Sequence, residues 1–263
     1  MRFTIKAKKL RNYLEDVYLK GKYYNGHESK NGSLSEYAVL LIEGNPPHTI
    51  LNIVNASASV ACRIDHWFTD EDNATGMCVV DISAMLKHLK VFSEDVTFTS
   101  DDYITLSSAG KKASMSKVLT HPNMDMVTRI TNYDMLQLTG PTIEGTPSVG
   151  GVSFGKTEYE CKLSTVEADM IEASKACDVL GVARYKFEYG GDKLTISSKK
   201  SEVDNIEIEI ELLEGVGDPS TVEFTGPFSG FMHGPVTIYM KDDSPILFSS
   251  SNRMMIKAPY LTR

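Results

Sequence analysis

The chain has 263 residues, 41% of them hydrophobic and 24% charged, with 27 basic against 35 acidic side chains and a formal net charge of −8. That composition describes a globular protein with a real core and excludes collagen-like, low-complexity and coiled-coil classes; the acidic balance argues against a whole surface that coats nucleic acid, but not against a local basic face. The length suits two domains, no run approaches the roughly 18 apolar residues of a membrane helix, and the short, alternating, basic N-terminus is unlike a signal peptide, so a cytoplasmic or otherwise intracellular protein is expected.

Arg2 to Lys6 alternates like a short strand, and Leu10, Tyr13, Leu14, Val17 and Tyr18 then recur at helical spacing, with Lys8, Lys9 and Arg11 on the other face. Beyond Gly21 the pattern turns to strands at Tyr37 to Glu43, Thr49 to Asn55 and Ala58 to Asp65, the first two joined by the turn-rich Gly44-Asn45-Pro46-Pro47. The same order restarts at Met77 with a strand to Asp81, a helix over Ile82 to Phe92, and strands at Val96 to Ser100, Tyr103 to Ser107 and Ala113 to Leu119.

Periodicity is then lost from Thr120 to Thr157, where Pro122, Pro141, Pro147 and Gly150-Gly151 mark a long connector. A third copy follows: a strand Tyr159 to Leu163, a helix from Ser164 to about Leu180, and strands Tyr185 to Tyr189, Lys193 to Lys199 and Asn205 to Leu213. The fourth comprises Thr221 to Thr225, a short helix around Phe228 to Met232, then Val236 to Met240, Pro245 to Ser249 and Arg253 to Ala258. Four copies in two pairs predict an α+β fold of two similar domains, residues 1–120 and 158–263, joined by a connector over 121–157.

Catalytic and metal chemistry find little support. Cys62, Cys78, Cys161 and Cys177 lie far apart without a CxxC pair, and the six histidines lack ligand spacing, so no metal is expected. Gly140 to Gly155 lacks the spacing of a phosphate loop, and no cofactor is expected. In Glu207-Ile208-Glu209-Ile210-Glu211, alternation puts the three acids on one face of a strand as a solvated surface rather than a pair of catalytic carboxylates. Ser107-Ser108-Ala109-Gly110 and Ser249-Ser250-Ser251 read as turns, with no GxSxG elbow.

The four copies, together with Val80-Asp81-Ile82-Ser83-Ala84-Met85-Leu86-Lys87-His88-Leu89-Lys90 and the ending Asp243-Ser244-Pro245-Ile246-Leu247-Phe248 followed by Lys257-Ala258-Pro259-Tyr260, resemble the DNA sliding clamps of the proliferating cell nuclear antigen type and related phage clamps. The resemblance covers most of the chain. It implies the clamp fold, with antiparallel sheets outside and two helices per domain inside, and a non-enzymatic ring, commonly a homotrimer, that encircles duplex DNA during replication and repair. The implied partners are double-stranded DNA without sequence preference, a DNA polymerase, a clamp loader and other clients that dock short peptides.

For such a ring the DNA-facing residues would be Lys8, Lys9, Arg11, Lys87 and Lys90, joined by Lys175 in the second domain. Diffuse cationic contacts to phosphates attract DNA without fixing position along it. The plainer reading is that these are the solvated faces of surface helices. The second domain departs from the family, since Glu167, Asp169, Glu172 and Asp178 surround Lys175 and the fourth helix offers only His233; Lys156, Lys162 and Arg184 would compensate if they faced inward.

The resemblance also implies a partner-peptide pocket beside the C-terminal strand, with Pro245, Ala258, Pro259 and Tyr260 as one wall and Met124, Met126, Val127 and Ile130 of the connector as the other. Flexible methionines suit a surface that accepts several ligands, though they also suit a loop simply tucked onto a sheet. Ring assembly would pair edge strands, with Ala113 to Leu119 meeting Tyr185 to Tyr189 or Lys193 to Lys199 of the next subunit. Two alternatives stand beside the homo-oligomer: a subunit of a heteromeric or checkpoint-type clamp, and an unrelated β-rich ligand-binding protein.

Overall fold

A computed structural model describes residues 1–18, 37–45, 48–55, 60–67, 75–118, 153–154 and 157–260. β1 (Arg2–Lys6) runs directly into α1 (Ala7–Val17), followed by β2 (Tyr37–Asn45), β3 (His48–Asn55) and β4 (Val60–Trp67). The order recurs as β5 (Gly76–Asp81), α2 (Ile82–Leu89), β6 (Asp95–Ser100), β7 (Tyr103–Ser108) and β8 (Lys111–Ser116). A small hairpin, β9 (Ser153–Phe154) with β10 (Thr157–Glu158), precedes β11 (Cys161–Thr165), α3 (Glu167–Asp178), β12 (Arg184–Tyr189), β13 (Leu194–Lys199), β14 (Asn205–Ile210) and β15 (Glu214–Gly217). The chain ends its described part with β16 (Ser220–Thr225), β17 (Val236–Met240), β18 (Ile246–Ser250) and β19 (Arg253–Lys257).

The described residues fall into two compact units, residues 1–118 and 153–260. Within each, the copies exchange their first strands. β1 leaves its own copy to pair with β6, giving the antiparallel order β1-β6-β7-β8, while β5 pairs with β2 to extend β4-β3-β2-β5. In the second unit β16 pairs with β12 in the order β14-β13-β12-β16, and β11 pairs with β17 beside β18 and β19. Neither copy of a pair can complete its sheet alone, so the pair is the folding unit.

The alternation read in the sequence becomes the inner faces of these sheets. Phe3 and Ile5 of β1 are buried, and Phe3 stacks on Phe98 of β6 with ring centroids 4.8 Å apart. Helix α1 buries Ala7, Leu10, Leu14 and Val17, and α2 buries Ile82, Met85 and Leu89. The Asp81 carboxylate caps α2 by accepting from the Ala84 N–H at 2.8 Å, satisfying one of the helix's first donors. In the second unit Tyr185, Phe187, Phe224, Phe228 and Phe248 form one aromatic cluster, with Phe187 and Phe228 edge to face at 5.3 Å. Each such ring contributes about 1.5–3 kcal/mol through burial.

The structure corrects three sequence expectations. Residues 226–235 form no helix: Gly226-Pro227 and Gly234-Pro235 bracket the segment, both glycines have positive φ, and the chain makes a turn closed by the Met232 N–H to the Ser229 carbonyl at 3.2 Å. The second unit therefore has one helix, α3, among its described residues. Neither β12 nor β13 has a free edge, because β12 is flanked by β13 and β16 and β13 by β12 and β14; the strands at the ends of this sheet are β14 and β16. Finally, β15 was not expected. It pairs with β11 only because Gly217, at φ +107°, leaves room for the Glu160 carbonyl oxygen, which a Cβ would meet at 2.0 Å.

Candidate nucleic-acid interface

The residues of the first unit expected to face DNA sit on or at the end of two helices that pack against each other. On α1 the apolar stripe faces inward, which leaves Lys8 and Lys9 exposed and Arg11 half-buried. On α2 the same logic exposes Lys87, with Lys90 exposed at its C-cap. The two helices differ in what explains their lysines. Lys87 lies in the last turn of α2, where a cation is favoured by the helix dipole, whereas Lys8 and Lys9 lie in the first turn of α1, against the dipole's positive end and with no acid there. Helix stability does not account for that pair.

Two of the four acids of α3, those at its ends, have structural duties. The Glu167 carboxylate accepts from the Gly234 N–H at 2.7 Å and so fastens the 226–235 turn to the helix start, while Asp178 accepts from the Tyr185 hydroxyl at the helix end. Ser250 completes the fastening, accepting from the His233 N–H at 2.8 Å and donating to its carbonyl at 2.7 Å. Lys175 is exposed and shares the helix surface with exposed Glu172 and half-buried Asp169. Lys162 and Arg184 do not supply the missing charge: Lys162 lies 3.7 Å from Glu214, and Arg184 is bound in a two-pronged ion pair with Glu223. Lys156 lies outside the described residues.

The C-terminal residues expected at a pocket wall are brought together. Continuing the β18–β19 register places Pro245 beside Ala258, and the Tyr159 hydroxyl donates to the Pro245 carbonyl at 2.9 Å. Pro259 bridges to Phe224 of β16, and the Tyr260 N–H donates to the Glu223 carbonyl at 2.6 Å. Tyr260 is 44% exposed, and the Arg184 guanidinium lies over its ring at 4.1 Å from the centroid. The opposite wall expected from Met124, Met126, Val127 and Ile130 lies outside the described residues.

The described cysteines Cys78, Cys161 and Cys177 are free and buried; burial pushes the Cys161 thiol up to about 12 and the Cys177 thiol up to about 11. Cys62 lies where side chains are not described. Among the described residues no group of three or more His, Cys, Asp or Glu could hold a metal ion, and no helix is long and apolar enough to cross a membrane.

No family model matches the sequence, and no curated protein matches it by sequence. Solved structures do match the fold. The DNA polymerase sliding clamp of Pseudomonas aeruginosa superimposes with a TM-score of 0.68 at 13% identity over 100% of this chain and 67% of its own. The polymerase III beta subunit of Thermotoga maritima gives 0.68 at 13%, over 100% of this chain and 66% of its own. The structure of the FEN-1 C-terminal region bound to A. fulgidus PCNA gives 0.62 at 13%, covering 100% of this chain and 99% of that one. The chain has the DNA sliding-clamp fold. It spans about two thirds of the Pseudomonas aeruginosa and Thermotoga maritima chains and nearly all of the A. fulgidus one.

Within the clamp fold, two features escaped sequence reasoning. The Arg184–Glu223 pair that holds Tyr260 depends on β12 and β16 being neighbours, with Lys186 opposite Glu223, a pairing only topology supplies. Lys257 was visible as a cation ending the apolar run Met254-Met255-Ile256. Its ammonium lies against Gly226, and burial pulls it down to about 8.

Proposed function

We propose that this chain is a DNA polymerase processivity clamp: a non-catalytic subunit that closes with further copies into a ring around duplex DNA and tethers polymerase and other DNA-processing enzymes. Three copies is the number the resemblance implies, with a loader to open the ring. The observation that carries this reading is the charge polarity of α1. Lys8 and Lys9 occupy a first turn where acids would stabilise the helix, and α2, carrying Lys87 and Lys90, packs beside it. Those residues and Arg11 would face phosphates and hold DNA by diffuse, salt-sensitive attraction that permits sliding. Lys175 would add little beside Glu172. Residues 121–157 would connect the domains, and Met124, Met126, Val127 and Ile130 would face Pro245, Ala258, Pro259 and Tyr260 across the groove that takes client peptides.

The test is retention on topologically closed DNA. The protein, with loader if one is needed, should stay on primed circular DNA after removal of free protein, slide off the same DNA once linearised, and lengthen polymerase products. Equal loss from both forms would overturn the reading. The acidic surface of α3, four carboxylates against Lys175, favours a second reading, a subunit of a heteromeric clamp. It predicts retention only when a second, more basic subunit is supplied.

A further inference from the structure

The C-terminal segment leaves one sheet and lies on the edge of another. β19 ends at Lys257 beside β18, and the next three residues cross to β16, an end strand of the sheet β14-β13-β12-β16. There Pro259 meets Phe224 as an isolated antiparallel bridge, and the Tyr260 N–H donates to the Glu223 carbonyl at 2.6 Å. An end strand presents backbone groups that a further strand can take up. Here the chain's own tail has taken them, over a short stretch. At the other end of β16 the Thr221 N–H is satisfied by a side chain instead, the Asp242 carboxylate at 2.6 Å.

The tail is held at its tip. Ala258 and Tyr260 are exposed and Pro259 is half-buried, so leaving β16 would uncover little apolar surface. What fixes Tyr260 is Arg184, whose guanidinium lies over the ring at 4.1 Å from the centroid. Arg184 does not depend on Tyr260 in return, because its Nε and Nη2 donate to the two carboxylate oxygens of Glu223, the second at 2.8 Å. A planar cation fixed in this way by its own sheet keeps its place when the ring is gone, and so is a preformed receptor for an aromatic face. The Glu223 carbonyl beside it is a preformed acceptor for the backbone N–H of the same residue. Together they select one feature, an aromatic side chain on an extended backbone. Pro259 has no N–H to offer a third strand, so the tail also ends the sheet.

We propose that residues 258–260 are a displaceable guard over the edge of β16, and that an extended peptide with an aromatic residue displaces them by adding to β16 and placing its ring against Arg184. Tyr260, expected as a wall of the client groove, is then the occupant that a client removes. As a tethered segment the guard competes at an effective concentration in the millimolar range, so it turns away any peptide whose contacts do not exceed its own. That the displacing peptide belongs to a DNA-processing enzyme rests on the proposed function; the guard itself does not.

The probe is the synthetic peptide acetyl-Ala-Val-Tyr-Val-Thr-amide, whose β-branched residues favour an extended backbone, with an analogue carrying Ala in place of Tyr. Each is titrated to about 5 mM into the isotope-labelled full chain and followed by NMR. In wild type the Tyr260 amide should be protected from hydrogen exchange, and the tyrosine peptide should lower that protection about tenfold or more as it fills the site. Tyr260→Ala should bind the tyrosine peptide about fivefold or more tightly than wild type, and adding Arg184→Met should remove that gain. The alanine analogue should show neither effect. Circular dichroism melts confirm that both variants fold, and the exchange of the wild-type amide tests the proposal without any variant. A Tyr260 amide unprotected at the outset, or still protected at the highest peptide concentration, would overturn the guard. So would equal affinity of wild type and Tyr260→Ala for the tyrosine peptide, or equal affinity of the two peptides. That failure in a chain retained on circular DNA would leave the clamp reading standing. A displaced guard in a chain that leaves circular and linear DNA alike would remove the clamp reading alone.

Discussion

The two units share one strand-exchange topology and fill it differently. In the first, both exchanged copies place a helix after their first strand, and those helices expose Lys8, Lys9, Lys87 and Lys90. In the second, one copy keeps its helix and the other replaces it with the 226–235 turn, which buries Phe228 and Phe231 completely. The lesson is that the topology needs the volume of a helix at that place but not its hydrogen-bond ladder. Two phenylalanines pinned by Glu167 and Ser250 fill the space instead. The cost falls on surface charge, since Glu167 and Asp178 serve the fold and leave α3 net acidic, four carboxylates against Lys175.

The comparison breaks most sharply if the turn is not a true substitute for a helix. Phe228 contacts Tyr185, Phe187, Phe224 and Phe248 and is fully buried. Phe228→Ala should therefore destabilise the protein by about 3–5 kcal/mol, read as a lower midpoint in urea. A loss under about 1 kcal/mol would mean that the cluster closes over the gap and that the turn is dispensable filler.

The charge difference is sharpened on DNA. Changing Lys8, Lys9, Lys87 and Lys90 together to Ala should flatten the dependence of log affinity on log salt by up to about 0.9 for each phosphate that is no longer neutralised. Lys175→Ala should leave that slope nearly unchanged. Equal effects from the two sets would place the DNA-binding surface in both units and remove the asymmetry.

The strands were legible because alternation survives wherever one face meets a core: β1 and β17 coincide with the expected spans, and most others differ by one or two residues at an end. Helices α1 and α2 were legible from their apolar spacing. The 226–235 turn was not legible from periodicity because Phe228, Phe231 and Met232 carry an apolar pattern whichever backbone presents them; the local signal against a helix is the flanking Gly226-Pro227 and Gly234-Pro235. β15 was hidden because Glu214-Gly215-Val216-Gly217 has almost no strand propensity, and pairing with β11 makes it a strand. Edge position was hidden for a different reason. Whether β12, β13 or β14 lies outermost depends on strand order, which no local pattern contains. The basic surface was legible one residue at a time, but the roles of Glu167 and Asp178 required the three-dimensional neighbours Gly234 and Tyr185.

A smaller effect isolates the fastening of the turn to α3. Glu167→Ala removes the acceptor for the Gly234 N–H and should cost about 0.5–2 kcal/mol, while Glu167→Gln, which keeps an acceptor oxygen, should cost less. Both changes also make the α3 surface more positive. If Glu167→Gln tightened DNA retention without loss of stability, the carboxylate would be limiting DNA binding more than it supports the fold.

The smallest effect concerns Lys257, the cation beside Gly226 at the end of β19. Burial lowers its folded-state value to about 8, against about 10.4 for an exposed lysine in the unfolded chain. Between those limits the unfolded state binds more protons than the folded state, so stability should rise as pH climbs from about 8 to about 10.4 and stay flat below. Below pH 8 the charged form is present in both states, and its desolvation destabilises the fold throughout. Lys257→Met keeps the aliphatic stem and removes the charge, so it should stabilise the protein modestly at pH 7 and abolish the alkaline rise. Urea midpoints at pH 7 and pH 9.5 for both proteins decide it: a variant no more stable than wild type at pH 7 would show that the ammonium reaches water past Gly226 and that burial costs it nothing.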